Sequence, residues 1–150
     1  MGKRVIVVGG GIAGMQTALK LSAGGVSALL LERDADLGGK LTGWHKLFPS
    51  FTPAHEVLDE LRRRLAASDV EVRTRCEVAE VARDGVTLST GERLEADAVV
   101  VATGFTLFDA RIKEEYGYGI YDNVYTTVDI ERMLNEGRVA LKDGTAPRRI

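Results

Sequence analysis

Three glycines near the N-terminus have the spacing of a loop that binds phosphate groups. Gly9, Gly11 and Gly14 form a Gly-x-Gly-x-x-Gly pattern between an apolar run at 5–8 and a helical pattern. The first glycine permits a tight turn, the second lets a pyrophosphate approach the backbone, and the third lets the helix pack closely on the strand. The start of that helix adds unpaired N–H groups and a partial positive charge. The pattern therefore predicts dinucleotide binding.

A carboxylate follows at the end of the next apolar run. Glu32 lies roughly 20 residues beyond the glycines, where such a group can accept hydrogen bonds from both hydroxyls of an adenosine ribose. It would also repel a 2′-phosphate. The alternative interpretation is that the glycines only shape a turn and that Glu32 is a surface charge.

The elements that would position these residues follow from hydrophobic periodicity and turn residues. Near-continuous apolar runs predict buried parallel strands, and alternating runs separated by Asp-Gly and Thr-Gly turns predict an antiparallel meander. A helix starting at Pro53 would be capped by Thr52, and a late helix by Thr127 and Gly137. The predicted elements are strands 5–8, 26–31, 70–74 and 98–102, meander strands 77–81, 86–89 and 93–95, helices 12–23, 53–67 and 128–136, a long loop over 34–53, and an ordered, tyrosine-pinned loop after Phe105.

These elements predict an α/β, Rossmann-like fold. It has a parallel central sheet and a small antiparallel β-meander insertion. The 150 residues, 45% of them hydrophobic, are enough for one globular domain spanning 1–150.

Composition excludes several function classes. The net charge of −2 and the interspersed charges give no field that would attract nucleic acid or an anionic membrane. The single cysteine, Cys76, leaves too few thiolates for a disulfide framework, an iron–sulfur cluster or structural zinc within this chain. A cytoplasmic setting is the expected default for such cysteine usage. We also expect no direct membrane contact, because no apolar run approaches the roughly 20 residues that span a bilayer.

Two further motifs indicate a family. The segment Gly38-Gly39-Lys40-Leu41 follows Glu32, and the strand at 98–102 ends in Ala102-Thr103-Gly104. With the first glycine loop, this order resembles the two-dinucleotide-binding-domain flavoproteins, in which the second glycine pair lies close to the FAD pyrophosphate. The resemblance implies FAD as the cofactor.

A narrower resemblance covers most of the chain. The segments 8–16, 46–49, 102–109 and above all 115–124 (Glu-Tyr-Gly-Tyr-Gly-Ile-Tyr-Asp-Asn-Val) are similar to the FAD-binding part of the A-subunit group of heterodisulfide reductases. Its relatives include flavoprotein subunits of quinone-interacting oxidoreductases of sulfur metabolism. The resemblance implies an electron-transfer subunit that works with other subunits or domains.

The same resemblance assigns roles to single residues. The pyrophosphate would be held by Gly9, Gly11, Ala13 and Gly14, the ribose by Glu32, and the adenine would lie beside Arg33 and the backbone of Val78. Gly39 and Lys40 would lie on the pyrophosphate and ribityl side, while Ala102, Thr103 and Gly104 would close over the cofactor. No catalytic residue and no metal ligand is predicted.

The chain departs from that group in two respects. Residues 50–54 contain no cysteine, and the sequence ends at Ile150, before the strand, second nucleotide domain and Gly-Asp segment with which the group continues. The resemblance therefore implies a domain truncated at the C-terminus that is not active alone, whether a remnant, a split gene product or a fragment.

Other residue types have simpler interpretations. Cys76 is expected to be a packed structural cysteine, and His45 and His55 lack a third ligand candidate. The arginines at 62–64 are expected to form a solvated helix face. Trp44 and Phe48 could cover a flavin or only bury apolar surface. Three functions stay open: an FAD-dependent oxidoreductase module, a non-catalytic nucleotide-binding or docking module, and, least favoured, an NAD-dependent dehydrogenase. A homodimer also stays open.

Overall fold

The structure, a computed structural model, describes residues 2–149 as two compact units. Unit 1 comprises 2–42 and 56–104, and unit 2 comprises 43–55 and 105–149. This division into units does not test the prediction of a single Rossmann-type domain over 1–150, which stays a prediction.

Within residues 2–149, strands outnumber α-helices, and three α-helices separate the runs of strands or follow the last of them. The strands and helices are β1 (Arg4–Val8), α1 (Ile12–Ala23), β2 (Ser27–Leu31), β3 (Lys46–Leu47), β4 (Thr52–Pro53), α2 (Ala54–Ala66), β5 (Glu71–Arg73), β6 (Val78–Ala82), β7 (Gly85–Leu88), β8 (Arg93–Glu95), β9 (Ala98–Val101) and α3 (Thr127–Asn135). Short 3₁₀ helices lie at Gly39–Gly43, Ala110–Ile112 and Glu114–Tyr116.

Unit 1 contains a four-stranded parallel sheet with the strand order β5-β2-β1-β9. Ile6 of β1 lies opposite Leu29 of β2 and Val99 of β9. Strands covered on both faces need apolar side chains at successive positions, which explains the valine and leucine runs. Ile6, Val7, Leu29 and Leu30 are each at most 1% exposed. The predicted parallel central sheet is confirmed.

Helix α1 has the bounds that the sequence predicts. It buries Met15, Ala18 and Leu19, which recur at helical spacing and form one face. The N–H of Gly24 closes the last turn, and Gly25 follows with a φ of +74°, a conformation that suits the end of a helix.

The antiparallel meander β6-β7-β8 is also confirmed. Its first turn depends on Gly85, which has a φ of +151° and whose Cβ, if present, would collide with the Leu94 carbonyl. Apolar side chains of the meander pack into one core cluster with side chains of the parallel sheet. This cluster contains Ile6, Val8, Leu29, Leu31, Val86, Leu88 and Leu94.

Strand β9 is less buried than its valine run predicts. It lies at one edge of the sheet, and Val101 is 60% exposed. A run of branched apolar residues reports that a segment forms a strand, but not whether both faces are covered. The other residues of β9 are half-buried or exposed, so the prediction of a buried strand at 98–102 is wrong.

Two predicted helix caps are wrong. Thr52 and Pro53 pair with Leu47 and Lys46 in a hairpin, and α2 begins only at Ala54. Helix α3 is capped by Thr126 rather than Thr127, because Asp129 lies three residues after Thr126 and completes a reciprocal capping box.

The segment at 34–53, predicted as a loop, contains the 3₁₀ helix and the β3–β4 hairpin. The tyrosines of the later loop do not all anchor it, since Tyr116 and Tyr121 are both 71% exposed. Phe48 is 86% exposed, so it buries no apolar surface under the long loop.

Within unit 2, polar contacts join the hairpin region to α3. The backbone N–H of His45 donates to the Glu131 carboxylate at 2.6 Å, and the Asn135 amide donates to the Gly43 carbonyl at 2.9 Å. Among residues 43–55 and 105–149, Ala54 is the buried apolar residue.

Candidate dinucleotide site

The outer glycines of the first loop are required by the fold itself. Gly9 has a φ of +111°, and a Cβ there would collide with the Ala102 carbonyl. A Cβ on Gly14 would collide with the Gly9 carbonyl. Gly9 thus allows the ends of β1 and β9 to come together, and Gly14 lets α1 approach β1.

The middle of the loop leaves room for an anion. Gly11 is the N-cap of α1, makes no side-chain capping hydrogen bond, and has no atom within 4 Å of the place where a Cβ would stand. The first turn of α1 also carries no acidic residue. An uncapped helix start with open space beside it suits a phosphate group, because the helix dipole and the first N–H groups favour negative charge.

Glu32 acts as a brace for this loop through its buried side chain. The residue is 7% exposed, and its carboxylate accepts hydrogen bonds from the N–H groups of Gly10, at 2.6 Å, and of Asp34, at 2.9 Å. A Cβ on Gly10 would stand 2.9 Å from the same carboxylate oxygen. Sequence reasoning missed this contact, although the extra glycine at position 10 was its signal. The ribose role of Glu32 stays a prediction.

The second glycine pair packs directly on the first loop. The Gly38 N–H donates to the Gly10 carbonyl at 2.9 Å, and Gly38 pairs with Gly11 in a parallel bridge. Gly39 has a φ of +53°, and its Cβ would stand 3.4 Å from the Gly11 Cα. Segments separated by an entire helix and strand therefore meet at one point.

An open cavity of about 520 Å³ lies beside this junction. It is lined by Asp34, Ala35, Asp36, Gly39, Thr42 and Arg62. Gly39 is the one predicted site residue in that lining. Arg62, predicted to lie on a solvated helix face, is instead half-buried and donates to the Leu37 carbonyl.

The remaining predicted site residues are placed as follows. Ala13 is exposed in the first turn of α1, and Arg33 is exposed beside Asp34, with 3.8 Å between Nε and Oδ1. Lys40 is half-buried, and Thr103 and Gly104 are exposed just beyond β9. Val78 packs against the core cluster. The structure thus brings Gly9, Gly14, Ala102, Glu32, Gly11 and Gly39 together, and cofactor contacts of all twelve residues stay predictions.

The other candidate residues have structural partners. Cys76 is half-buried and packs against the core cluster, and its backbone N–H donates to the Glu32 carbonyl at 2.9 Å. The His45 Nδ1 lies 3.3 Å from the Asn135 side-chain oxygen. Among residues 2–149, no group of three or more His, Cys, Asp or Glu side chains could hold a metal ion.

A family model described as pyridine nucleotide-disulphide oxidoreductase matches residues 3–132. The chain belongs to this family. Family membership confirms the predicted class of FAD-binding oxidoreductases and indicates FAD as the cofactor. The similarity to solved structures confirms the Rossmann-like fold.

Curated relatives of this family member include A subunits of heterodisulfide reductases. The chain is 52% identical over 64 residues to an iron-sulfur A subunit of the CoB–CoM heterodisulfide reductase of Methanopyrus kandleri, which covers 39% of this chain and 10% of that protein. It is 45% identical over 62 residues to the A subunit of the H₂/formate:CoB–CoM heterodisulfide, ferredoxin reductase of Methanococcus maripaludis, which covers 37% of this chain and 9% of that protein. The chain thus spans about a tenth of the length of these relatives.

Solved structures of similar fold include two other enzymes. The tetrameric form of 2-methyl-3-hydroxypyridine-5-carboxylic acid oxygenase matches with a TM-score of 0.58 and 23% identity over 69% of this chain and 40% of its own. A 2-naphthoyl-CoA reductase complex matches with a TM-score of 0.51 and 26% identity over 75% of this chain and 16% of its own. Within residues 2–149 of this chain, no helix combines the length and apolar character needed to cross a membrane.

Proposed function

We propose that the chain is the FAD-binding module of a flavoprotein oxidoreductase and that it serves electron transfer within a heterodisulfide-reductase-like complex. The observation that carries this proposal is the hydrogen bond from the Gly38 N–H to the Gly10 carbonyl, which joins the two glycine segments beside Glu32. Similarity to heterodisulfide reductase subunits supports the complex, and the reaction and the partner subunits are part of the proposal.

Bound FAD would supply the redox chemistry, and the chain would bind and orient it. Gly9, Gly11, Ala13 and Gly14 would hold the pyrophosphate, with Gly39 and Lys40 on its ribityl side. Glu32 would bind the ribose, Arg33 and Val78 would lie at the adenine, and Ala102, Thr103 and Gly104 would close over the cofactor. The open Cβ positions at Gly11 and Gly104 support this arrangement.

The proposal extends to partners and location. The exposed end of β9 at the sheet edge offers a place for a further strand, domain or subunit, because unpaired edges favour added strands. We propose a cytoplasmic protein that needs such partners for activity. A homodimer through this edge is a further candidate, which light scattering of the purified chain would test.

The direct test is the cofactor itself. The purified chain, reconstituted with FAD if needed, should show flavin absorbance in the visible range, and denaturation should release FAD identified by mass. A chain that stays colourless after reconstitution would contradict the proposal. Parallel titration with NAD separates the FAD proposal from the dehydrogenase alternative.

A Gly11→Val substitution locates the site. Its side chain would fill the open space beside the start of α1, so FAD retention should be lost while the protein stays folded. Gly2→Val is the matched control, since Gly2 also has no atom within 4 Å of its Cβ position. Retention of FAD in the Gly11 variant would place the site elsewhere.

A second candidate function is a non-catalytic docking module. It is favoured by the large apolar side chains that unit 2 exposes, because exposed apolar surface marks interaction sites where it is contiguous. These are Phe48, Phe51, Phe105, Leu107, Phe108, Ile112, Tyr116, Ile120, Tyr121, Val128 and Leu134. Oxidation of NADH with a quinone or dye acceptor discriminates the two functions when a partner is present, because a docking module would add no turnover.

A further inference from the structure

Helix α2 holds the segment between Glu32 and Gly39 at two successive positions. The guanidinium of Arg62 donates to the Leu37 carbonyl, and Leu58, one turn earlier, lies against Gly38. Both Leu58 methyl groups would stand 3.0 Å from a Cβ on Gly38. Residues 37–38 are therefore fixed to α2 by one charged hydrogen bond and one apolar contact.

The same two residues form the joint with the first glycine loop. Gly38 donates to the Gly10 carbonyl at 2.9 Å, and the Leu37 side chain reaches Gly10 so closely that a Cβ there would collide with it. Any movement of Leu37 would therefore change its packing against Gly10. A hydrogen bond from an ionised donor to a carbonyl is stronger than a neutral one and fixes its acceptor more firmly.

The neighbouring arginines of α2 do not share this position. Arg63 pairs with Glu60 at 2.6 Å, and its side chain is largely exposed. Arg64 is exposed as well. Of the three consecutive arginines, Arg62 therefore contacts residues 37–38, whereas Arg63 and Arg64 carry the same charge on the surface.

We infer that Arg62 is a positioning residue that orders the second glycine segment for the cofactor. The inference rests on the proposed function for its ligand, FAD, and on the Leu37 contact for its mechanism. Arg62 acts through the backbone of residues 37–38 and is not assigned a contact with the cofactor.

The experiment compares Arg62→Met, Arg62→Lys and Arg63→Met in the full chain. Two quantities are measured: the dissociation constant for FAD and the hydrogen exchange rate of the Gly38 amide without cofactor. Arg62→Met should speed Gly38 exchange and should weaken FAD binding about tenfold, because residues 37–38 must then be ordered on binding at a cost similar to the free energy that the lost hydrogen bond supplied. Arg62→Lys should restore part of both, since an ammonium can still donate to a carbonyl. Arg63→Met should change neither.

Two outcomes overturn the inference. Unchanged Gly38 exchange in Arg62→Met would show that Arg62 does not order the segment, and weaker FAD binding in the same variant would then assign Arg62 a direct contact with the cofactor. Equal effects of Arg62→Met and Arg63→Met would indicate a general charge effect. A wild-type chain that binds no FAD would defeat the proposed function alone, because Gly38 exchange would still decide the role of Arg62.

Discussion

In unit 1 most large apolar side chains are buried or half-buried, whereas in unit 2 most of them face solvent. Ile6 of unit 1 is fully buried, while Ile120 of unit 2 is 60% exposed. Burying one such side chain stabilises a fold by about 1.5–3 kcal/mol. Many residues of unit 1 contribute this stabilisation, whereas few residues of unit 2 do. The contrast indicates that unit 1 maintains its own shape and that unit 2 presents apolar surface.

Unit 2 is ordered by polar contacts instead. The capping box of Thr126 and Asp129 and the hydrogen bonds at His45 and Asn135 define its local geometry. Each such contact contributes about 0.5–1.5 kcal/mol net. Substitutions of similar chemistry should therefore have unequal effects in the two units.

The largest effect is expected at Gly14. Gly14→Ala would drive a Cβ into the Gly9 carbonyl, where backbone has no room to yield, and should cost more than about 4 kcal/mol of unfolding free energy. Gly43→Ala in unit 2 is the matched control, because its Cβ position is open. Circular dichroism during chemical unfolding measures both variants. A Gly14 variant as stable as the Gly43 variant would contradict the close packing of α1 on β1.

The second comparison uses the two isoleucines. Ile6→Ala should cost about 2–5 kcal/mol, because it leaves a cavity in a closed core. Ile120→Ala should change the unfolding free energy by less than about 0.5 kcal/mol, as is usual for exposed positions. Equal losses in the two variants would show that Ile120 lies in a core, and would remove the contrast between the units.

An intermediate effect is expected at Glu32. Glu32→Ala leaves the buried Gly10 N–H without its acceptor, which should cost about 1–3 kcal/mol. It should also abolish FAD retention. Glu32→Gln separates the two effects, since its amide oxygen can still accept one of the two backbone hydrogen bonds. Chemical unfolding and FAD titration of both variants give the measurement, and an unchanged stability in Glu32→Ala would contradict the brace.

The smallest effect concerns the cap of α3. Burial opposes ionisation of Asp129, but hydrogen bonds from the Thr126 side chain and backbone and from Tyr118, with the charge of Arg132, together outweigh it and hold the pKa of the carboxyl below its ordinary 3.8. A lowered folded-state pKa means that the stabilisation is complete above about pH 4 and is lost as the pH falls through the folded-state value. Thr126→Ala should cost about 1 kcal/mol at neutral pH.

Helicity measured against pH checks this expectation. The wild-type chain should lose helix signal from α3 at acid pH, whereas Asp129→Asn should lack that transition. An identical acid transition in the two proteins would mean that another carboxyl controls it.

Patterns of neighbouring residues in the sequence predicted those elements of unit 1 that depend only on residues close together in the chain. The valine run of β1, the helical spacing of α1 and the positive-φ glycines each fix their own segment. The contact between Gly38 and Gly10 was not predicted, because the resemblance related the two glycine motifs only through a shared cofactor. The partner of Arg62 could not be predicted, since the Leu37 carbonyl comes from a distant part of the chain and is a backbone atom that every residue has. The start of α2 failed for a similar reason, because pairing with Lys46 and Leu47 outweighed the capping preference of Thr52.

The brace between Glu32 and Gly10 also bears on how cofactor preference could be changed. A carboxylate that repels a 2′-phosphate is the obvious residue to replace when a site is redesigned for a phosphorylated nucleotide. Here Glu32, the carboxylate proposed for that role, also accepts a hydrogen bond from the Gly10 N–H and so holds the first glycine loop. Selection for a new cofactor would therefore meet two requirements at one side chain, and a successful redesign would need a second substitution that supplies Gly10 with another acceptor.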